Sequence, residues 1–211
     1  MTVSFFSASR PSHRVFPAID RGPPSHRSGL ATARRGIRPD PAGRDFPYGT
    51  QICEVEVDAE TGAVEIVSYT AVDDVGRAVT PMIVHGQTHG GIAQGVGQAL
   101  LEHSHYDAET GQLLAASFMD YAMPRADTFP EMKTALSEVP SPSNRLGVRS
   151  GGEGGTTPAL AAVINAIVDA LSELGVRHIE MPATPEGVWR AIRAARTDVF
   201  GDARHRSRSG K

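Results

Sequence analysis

The sequence predicts an α/β (mixed α+β) fold of β-hairpins and three main helices. Three observations predict it. Apolar and polar residues alternate on both sides of an Asp-Ala-Glu-Thr-Gly turn, two amphipathic stretches carry capping residues at their starts, and a glycine-laden apolar run precedes them. Residues 51–57 alternate Ile52, Glu54 and Glu56 with Gln51, Cys53, Val55 and Val57, the pattern of a half-buried strand. Asp58-Ala59-Glu60-Thr61-Gly62 then supplies a turn with glycine where φ > 0 is wanted, and residues 63–72 return as the second strand. The pentapeptide recurs at Asp107-Ala108-Glu109-Thr110-Gly111, joining residues 104–106 to 112–115, and shared turn chemistry explains the recurrence without a domain repeat. The spaced oxygen ligands of an EF-hand loop are missing from both copies. Residues 132–139 read as a further strand, stopped by Pro140 and Pro142.

Thr156 or Thr157 caps a helix with Pro158 in its first turn. Its stripe is Leu160, Val163, Ile164, Ile167, Val168 and Leu171, and Gly175 is placed to stop it. Thr184 caps the last helix, with Pro185 and Glu186 in the first turn and Val188, Trp189 and Ile192 facing inward. The remaining candidate, residues 83–102, carries Gly86, Gly90, Gly91, Gly95 and Gly97. Each interior glycine costs about 1 kcal/mol relative to alanine. Such a run calls for close backbone approach, either to another helix or to a ligand.

Composition sets the outer bounds. Of 211 residues, 40% are hydrophobic, enough for a packed core. Residues 1–47 hold eight Arg against three Asp, a net +5, together with seven Pro, six Ser and four Gly, and they are predicted disordered. The prolines argue against the amphipathic helix of an organelle transit peptide, and Arg34-Arg35 lacks the apolar stretch that follows a twin-arginine signal; a linker or address is the alternative to an unstructured segment. Residues 48–200 form the globular portion, and residues 201–211 a disordered basic tail. Outside residues 1–47 there are 13 basic and 21 acidic residues, which disfavours nucleic acid as a partner. Cys53 is the only cysteine, so this chain makes no disulfide framework, iron–sulfur ligation or cysteine-based zinc knuckle. No apolar run approaches the roughly 18 residues of a spanning helix.

Two clusters carry chemistry. Ser150-Gly151-Gly152-Glu153-Gly154-Gly155-Thr156-Thr157-Pro158 holds one carboxylate among glycines at a helix start, where unpaired N–H donors and backbone access coincide. A phosphate loop is excluded, because no Gly-Lys-Ser/Thr closes it and the acid repels phosphate. A solvated Glu153 serving as N-terminal charge is the plainer reading. In His85-Gly86-Gln87-Thr88-His89-Gly90-Gly91-Ile92-Ala93-Gln94-Gly95, Gln87 and Gln94 are two helical turns apart, so both amides share a face suited to a polar heterocycle's edge. His85 and His89 also share a face, and with His103 and His105 they offer a structural zinc site, although Gly86 stands where a zincin needs Glu. No Gly-x-Ser-x-Gly elbow supports serine hydrolysis.

The segments 86–100, Ser117-Phe118-Met119-Asp120-Tyr121-Ala122-Met123-Pro124, and Gly152-Glu153-Gly154-Gly155 with Pro158-Ala159, in this order, carry a family likeness. Residues 48–196 resemble the C-terminal part of the molybdopterin-binding large subunit of the xanthine dehydrogenase, aldehyde oxidase and aerobic carbon monoxide dehydrogenase family. The resemblance implies an incomplete part of a larger molybdenum-cofactor-binding domain, in a molybdenum hydroxylase. It makes Glu153 the general base, desolvated and within reach of a molybdenum-bound hydroxyl; the hydroxyl oxygen attacks an electrophilic carbon while hydride passes to a metal-bound sulfur. It makes Gln94 cofactor-binding, and Gln87, on the same helix face, is assigned with it; Gly90, Gly91, Gly152 and Gly154 admit the cofactor and the metal without a Cβ in the way, and no protein side chain is assigned as a metal ligand.

The implied cofactor is molybdenum–molybdopterin in its cytosine dinucleotide form, with FAD and 2Fe-2S clusters on partner medium and small subunits. The upstream half of the large subunit is a further implied partner, the location cytoplasmic, and the chain by itself inactive. Two departures stand out. Asn144-Arg145-Leu146-Gly147-Val148-Arg149-Ser150 replaces the family's Asn-Pro-Leu-Gly-x-Lys-Gly, and Cys53 does not match the copper-holding cysteine of the carbon monoxide enzymes. The alternative is a non-catalytic remnant acting as an oligomerisation or partner-docking module.

Overall fold

Local turn chemistry closes the central hairpin. Asp58 accepts hydrogen bonds from the Glu60 amide (2.8 Å) and the Thr61 hydroxyl (2.7 Å), and Gly62 takes φ +76°. In the computed structural model, which describes residues 2–7 and 45–206, this turn joins β2 (Tyr48–Val57) to β3 (Val64–Asp74) in antiparallel register, with a bulge at Glu54/Val55. Both strands run further than predicted at the end away from the turn. β4 (Met132–Leu136) adds parallel to β3 and is shorter than expected, and the sheet order is β1-β2-β3-β4.

β1 (Thr2–Ser7) pairs antiparallel with β2, from Thr2↔Val55 to Ser7↔Thr50. It lies within residues 1–47, the segment expected to be disordered. A Thr/Val/Phe-containing run suits a strand, and the free edge of β2 offers it backbone partners. The Arg/Pro-rich remainder, residues 8–44, lies outside the described residues. The second Asp-Ala-Glu-Thr-Gly turn also forms, with Asp107 accepting from the Thr110 amide (2.7 Å) and Gly111 at φ +71°. Only one bridge follows it, Tyr106↔Leu113. Tyr106 is 58% exposed, so no burial rewards a longer ladder.

Helix α1 (Pro81–Leu100) starts on Pro81, and α2 (Thr156–Ala170) starts after Gly155 with no side-chain cap, so Thr156 and Thr157 lie inside the helix and not at its cap. The predicted stripe of α2 is rotated. Ala159, Ala162, Val163, Ala166 and Ile167 are buried, while Leu160, Ile164 and Val168 only flank the core. The reason is the neighbour: glycines of α1 lie against α2, and small residues meet them. Gly175 ends the following turn at φ +86°, as predicted. Helix α3 (Pro185–Arg206) is capped by Thr184, whose hydroxyl accepts from the Gly187 amide at 3.2 Å. Val188 and Ile192 are buried, but Trp189 is half-buried, with the Arg193 guanidinium 5.0 Å from its ring centroid. The helix runs to Arg206. Residues 207–211 lie outside the description.

Both α1 and α2 pack on the sheet and on each other, burying Cys53, Val55, Tyr69, Ile92, Val96, Val163 and Ile167 in one core that Val188 and Ile192 complete. Burial pushes the Cys53 thiol up to about 12, with a smaller push from Glu54. Among the described residues no helix is long and apolar enough to cross a membrane.

Candidate functional site

The glycine-rich loop is fixed by backbone contact between two helices. A Cβ on Gly155 would lie 2.6 Å from the Thr88 carbonyl oxygen and 3.1 Å from Gly91 Cα, and one on Gly95 2.7 Å from Ala159 Cβ. Only glycine lets α1 and the first turn of α2 meet this closely. Gly91, predicted to admit the cofactor, is thereby committed to helix contact: its Cβ would sit 2.9 Å from Gly155 Cα.

Three glutamines then grip the loop. The buried Gln51 amide donates to the carbonyls of Gly155 (3.1 Å) and Gly154 (3.3 Å), and its oxygen accepts from the buried Tyr69 hydroxyl. Gln87 donates to the Gly152 carbonyl at 3.1 Å, and Gln94 accepts from the Thr156 hydroxyl at 3.3 Å. The peptide carbonyls on either side of Glu153 are therefore each held by an amide, and its own carbonyl accepts from Thr157 N at 3.1 Å. Upstream, Asp45 receives Ser141, Ser143 and Asn144. The hydrogen bonds from Ser141 and Ser143 hold its carboxyl below the usual carboxylate range.

Glu153 itself is exposed, so the desolvation that the sequence reading requires is not present in this chain. It borders a shallow groove of about 150 Å³ with Pro47, Tyr48, Thr157 and Pro158. On the other side of the loop a cavity of about 370 Å³ is bordered by Arg77, Gln87, Arg149 and Gly152. Gln87 and Gln94 are exposed on the α1 face that also presents Gly86 and Gly90. Among the described residues, a Cβ on Gly86, Gly90 or Gly152 would meet nothing within 4 Å, and one on Gly154 would make only ordinary contact with Pro47 at 3.7 Å.

The histidines do not assemble a metal site. His85 Nδ1 and His89 Nε2 both bond the Thr134 hydroxyl, at 2.8 and 3.1 Å, and His103 stacks edge-on with His105 at 5.6 Å. Among the described residues no group of three His, Cys, Asp or Glu side chains is placed to hold a metal ion, which overturns the zinc alternative. Below α1, buried Asp73 accepts from the Thr88 hydroxyl at 2.7 Å. Burial raises its carboxyl above the ordinary range, against smaller downward pulls from Thr88 and the His85 charge.

Sequence reasoning missed Gln51, Tyr69 and Asp45 as supports of the loop. The signal was present for one of them: Gln51 is a polar residue on the apolar side of an alternating strand, and such a residue needs buried partners.

A family model described as the molybdopterin cofactor-binding domain matches residues 25–130. The chain is 34% identical over 154 residues to the carbon monoxide dehydrogenase large chain of Hydrogenophaga pseudoflava, covering 73% of this chain and 19% of the relative. It is 42% identical over 148 residues to the nicotine 6-hydroxylase large subunit of Paenarthrobacter nicotinovorans, covering 70% and 18%. The solved structure of quinoline 2-oxidoreductase from Pseudomonas putida 86 matches with a TM-score of 0.67 and 41% identity, over 70% of this chain and 19% of that one. The chain thus spans less than one fifth of the length of these relatives.

Proposed function

This chain belongs to the molybdopterin cofactor-binding domain family, and from that premise we propose that residues 48–200 form the C-terminal, cofactor-approaching portion of a molybdenum hydroxylase large subunit. One observation carries the reading. Gly86, Gly90 and Gly152 are open at Cβ among the described residues, so packing there does not require glycine, yet Gly86 and Gly90 share the exposed face of α1 with Gln87, whose amide reaches the Gly152 carbonyl beside Glu153. The residues present fit a bulky heterocyclic cofactor, because backbone is bare where the cofactor approaches and amides stand beside it.

When bound, the molybdenum cofactor supplies the oxygen for hydroxylation and takes up the substrate's two electrons. Gln87 and Gln94 hydrogen-bond the cofactor's polar edge while bracing the loop. Glu153, at the entry to α2, accepts the proton released in the reaction, and the held carbonyls of Gly152 and Gly154 fix its position. The water exclusion that a general base needs comes from the upstream half of the large subunit, so the chain by itself is inactive. The cofactor is the cytosine dinucleotide form, and electrons leave to 2Fe-2S clusters and FAD on small and medium subunits of a cytoplasmic complex.

Co-expression with an upstream large-subunit half tests this. The pair retains molybdenum and shows substrate-dependent dye reduction, whereas the single chain does neither. Glu153→Gln in the pair keeps the metal and lowers the rate by about 10²–10⁴-fold. Unchanged dye reduction in that variant removes Glu153 as the base.

A second reading, a non-catalytic docking module, draws on exposed apolar side chains: Phe118 is 89% exposed and Met119 93%. It predicts that the pair assembles without retaining molybdenum.

A further inference from the structure

Arg149 is out of balance with its surroundings. Its side chain is only 8% exposed, and its Nε is buried with no hydrogen-bond partner among the described residues. A guanidinium carries five N–H donors, and hiding it from water without acceptors is costly. Asp74 comes to 3.9 Å from Nε, beyond hydrogen-bond reach, and Asp74 already accepts from the Gly76 amide (2.8 Å) and the Val139 amide (3.2 Å). One face of the guanidinium lies 4.7 Å from the Tyr48 ring centroid. Tyr48 stacks against the guanidinium plane and Asp74 lies on its Nε side, and Arg149 also borders a cavity of about 370 Å³.

That cavity collects further positive potential. Arg77 borders it, and so does the start of α1, where Thr80 makes no capping side-chain bond and no acid stands in the first turn. The nearby acid Glu138 is engaged by the Ala78 amide at 2.8 Å. Val75, Val79, Ile83 and Val84 line the remaining wall, which suits an organic body attached to an anionic end. A planar fork beside a second cation and a helix start matches the oxygens of a phosphate group.

We propose that this cavity is an oxyanion pocket in which Arg149 grips a phosphate group and Arg77 flanks it. The phosphate is that of the bound cofactor; this second half rests on the function proposed above.

The full chain, titrated with inorganic phosphate and followed by calorimetry and thermal melting, tests the first half. Saturable binding is expected, weakened about tenfold or more by Arg149→Met, several-fold by Arg77→Gln, and by added salt. Arg77 is exposed, so its variant reports even if Arg149→Met unfolds by leaving Asp74 unpaired. No phosphate binding, or equal binding by both variants, overturns the pocket. In the co-expressed pair, Arg149→Met is expected to lose molybdenum while Arg149→Lys keeps part of it. Full metal content in Arg149→Met would refute the cofactor half and leave Glu153 untouched. Phosphate binding by a pair that never holds molybdenum would instead sink the proposed function while keeping the pocket.

Discussion

The two faces of α1 use the same residue type for opposite ends. On the inner face Gly91 and Gly95 are glycines because Gly155 and Ala159 of the neighbouring chain segment leave no room for a Cβ. On the outer face a Cβ on Gly86 or Gly90 would meet nothing within 4 Å among the described residues, so packing there gives no reason for glycine. Glycine in mid-helix is unfavourable, and its presence where no packing demands it points to something outside the chain that must come close. The inner face accounts for the helix packing, and the outer face is the one on which the proposed cofactor role rests.

Substitutions that add one methyl group on either side separate the two roles. The largest effect is expected from Gly155→Ala, which drives a Cβ into the backbone of Thr88 and Gly91. Overpacking of this kind costs about 1–3 kcal/mol, and backbone cannot rotate away as a side chain can. Urea denaturation measures it, and a variant as stable as the parent would show that the helices are not held by this contact. On the outer face Gly90→Ala is expected to stabilise the chain by about 1 kcal/mol through helix propensity. The same variant in the co-expressed pair should retain less molybdenum, since the methyl group occupies cofactor space. Equal metal retention would erase the distinction between the faces.

The smallest effect concerns Asp73, which the inner face covers through Thr88. Its carboxyl is raised chiefly by burial, so it holds its proton more tightly when folded. Its contribution to stability is then greatest in acid and declines as pH rises through the folded value. Asp73→Asn removes that decline while keeping an acceptor for Thr88. Denaturation midpoints of the parent and variant, compared across about pH 4–7, should diverge as pH rises in the variant's favour. Parallel curves would show that burial does not govern this carboxyl.

Features decided within a few residues were legible in the sequence. The Asp58–Gly62 and Asp107–Gly111 turns form the same side-chain bonds, because Asp, Thr and Gly specify them locally. Whether a ladder grows from a turn was not legible, since it depends on what buries the strands from afar. The α2 stripe was misplaced by weighting large apolar residues over Ala159, Ala162 and Ala166. The spacing of Gly91 and Gly95, four apart, held the correcting information. At the site, Glu153 and its glycines could be picked out because their composition is unusual. Its exposure could not be read, nor the hold of Gln51 and Tyr69 across more than 80 residues of chain, because these follow from tertiary packing.

The lone thiol has a practical consequence. Cys53 sits at the centre of β2, wholly enclosed, and its high proton affinity leaves almost no thiolate at neutral pH. A soluble alkylating reagent can therefore modify the molecule only when the sheet and helices part. The protein carries a built-in clock for opening of its interior, read as one mass increment per chain, against which each loop or helix variant can be timed.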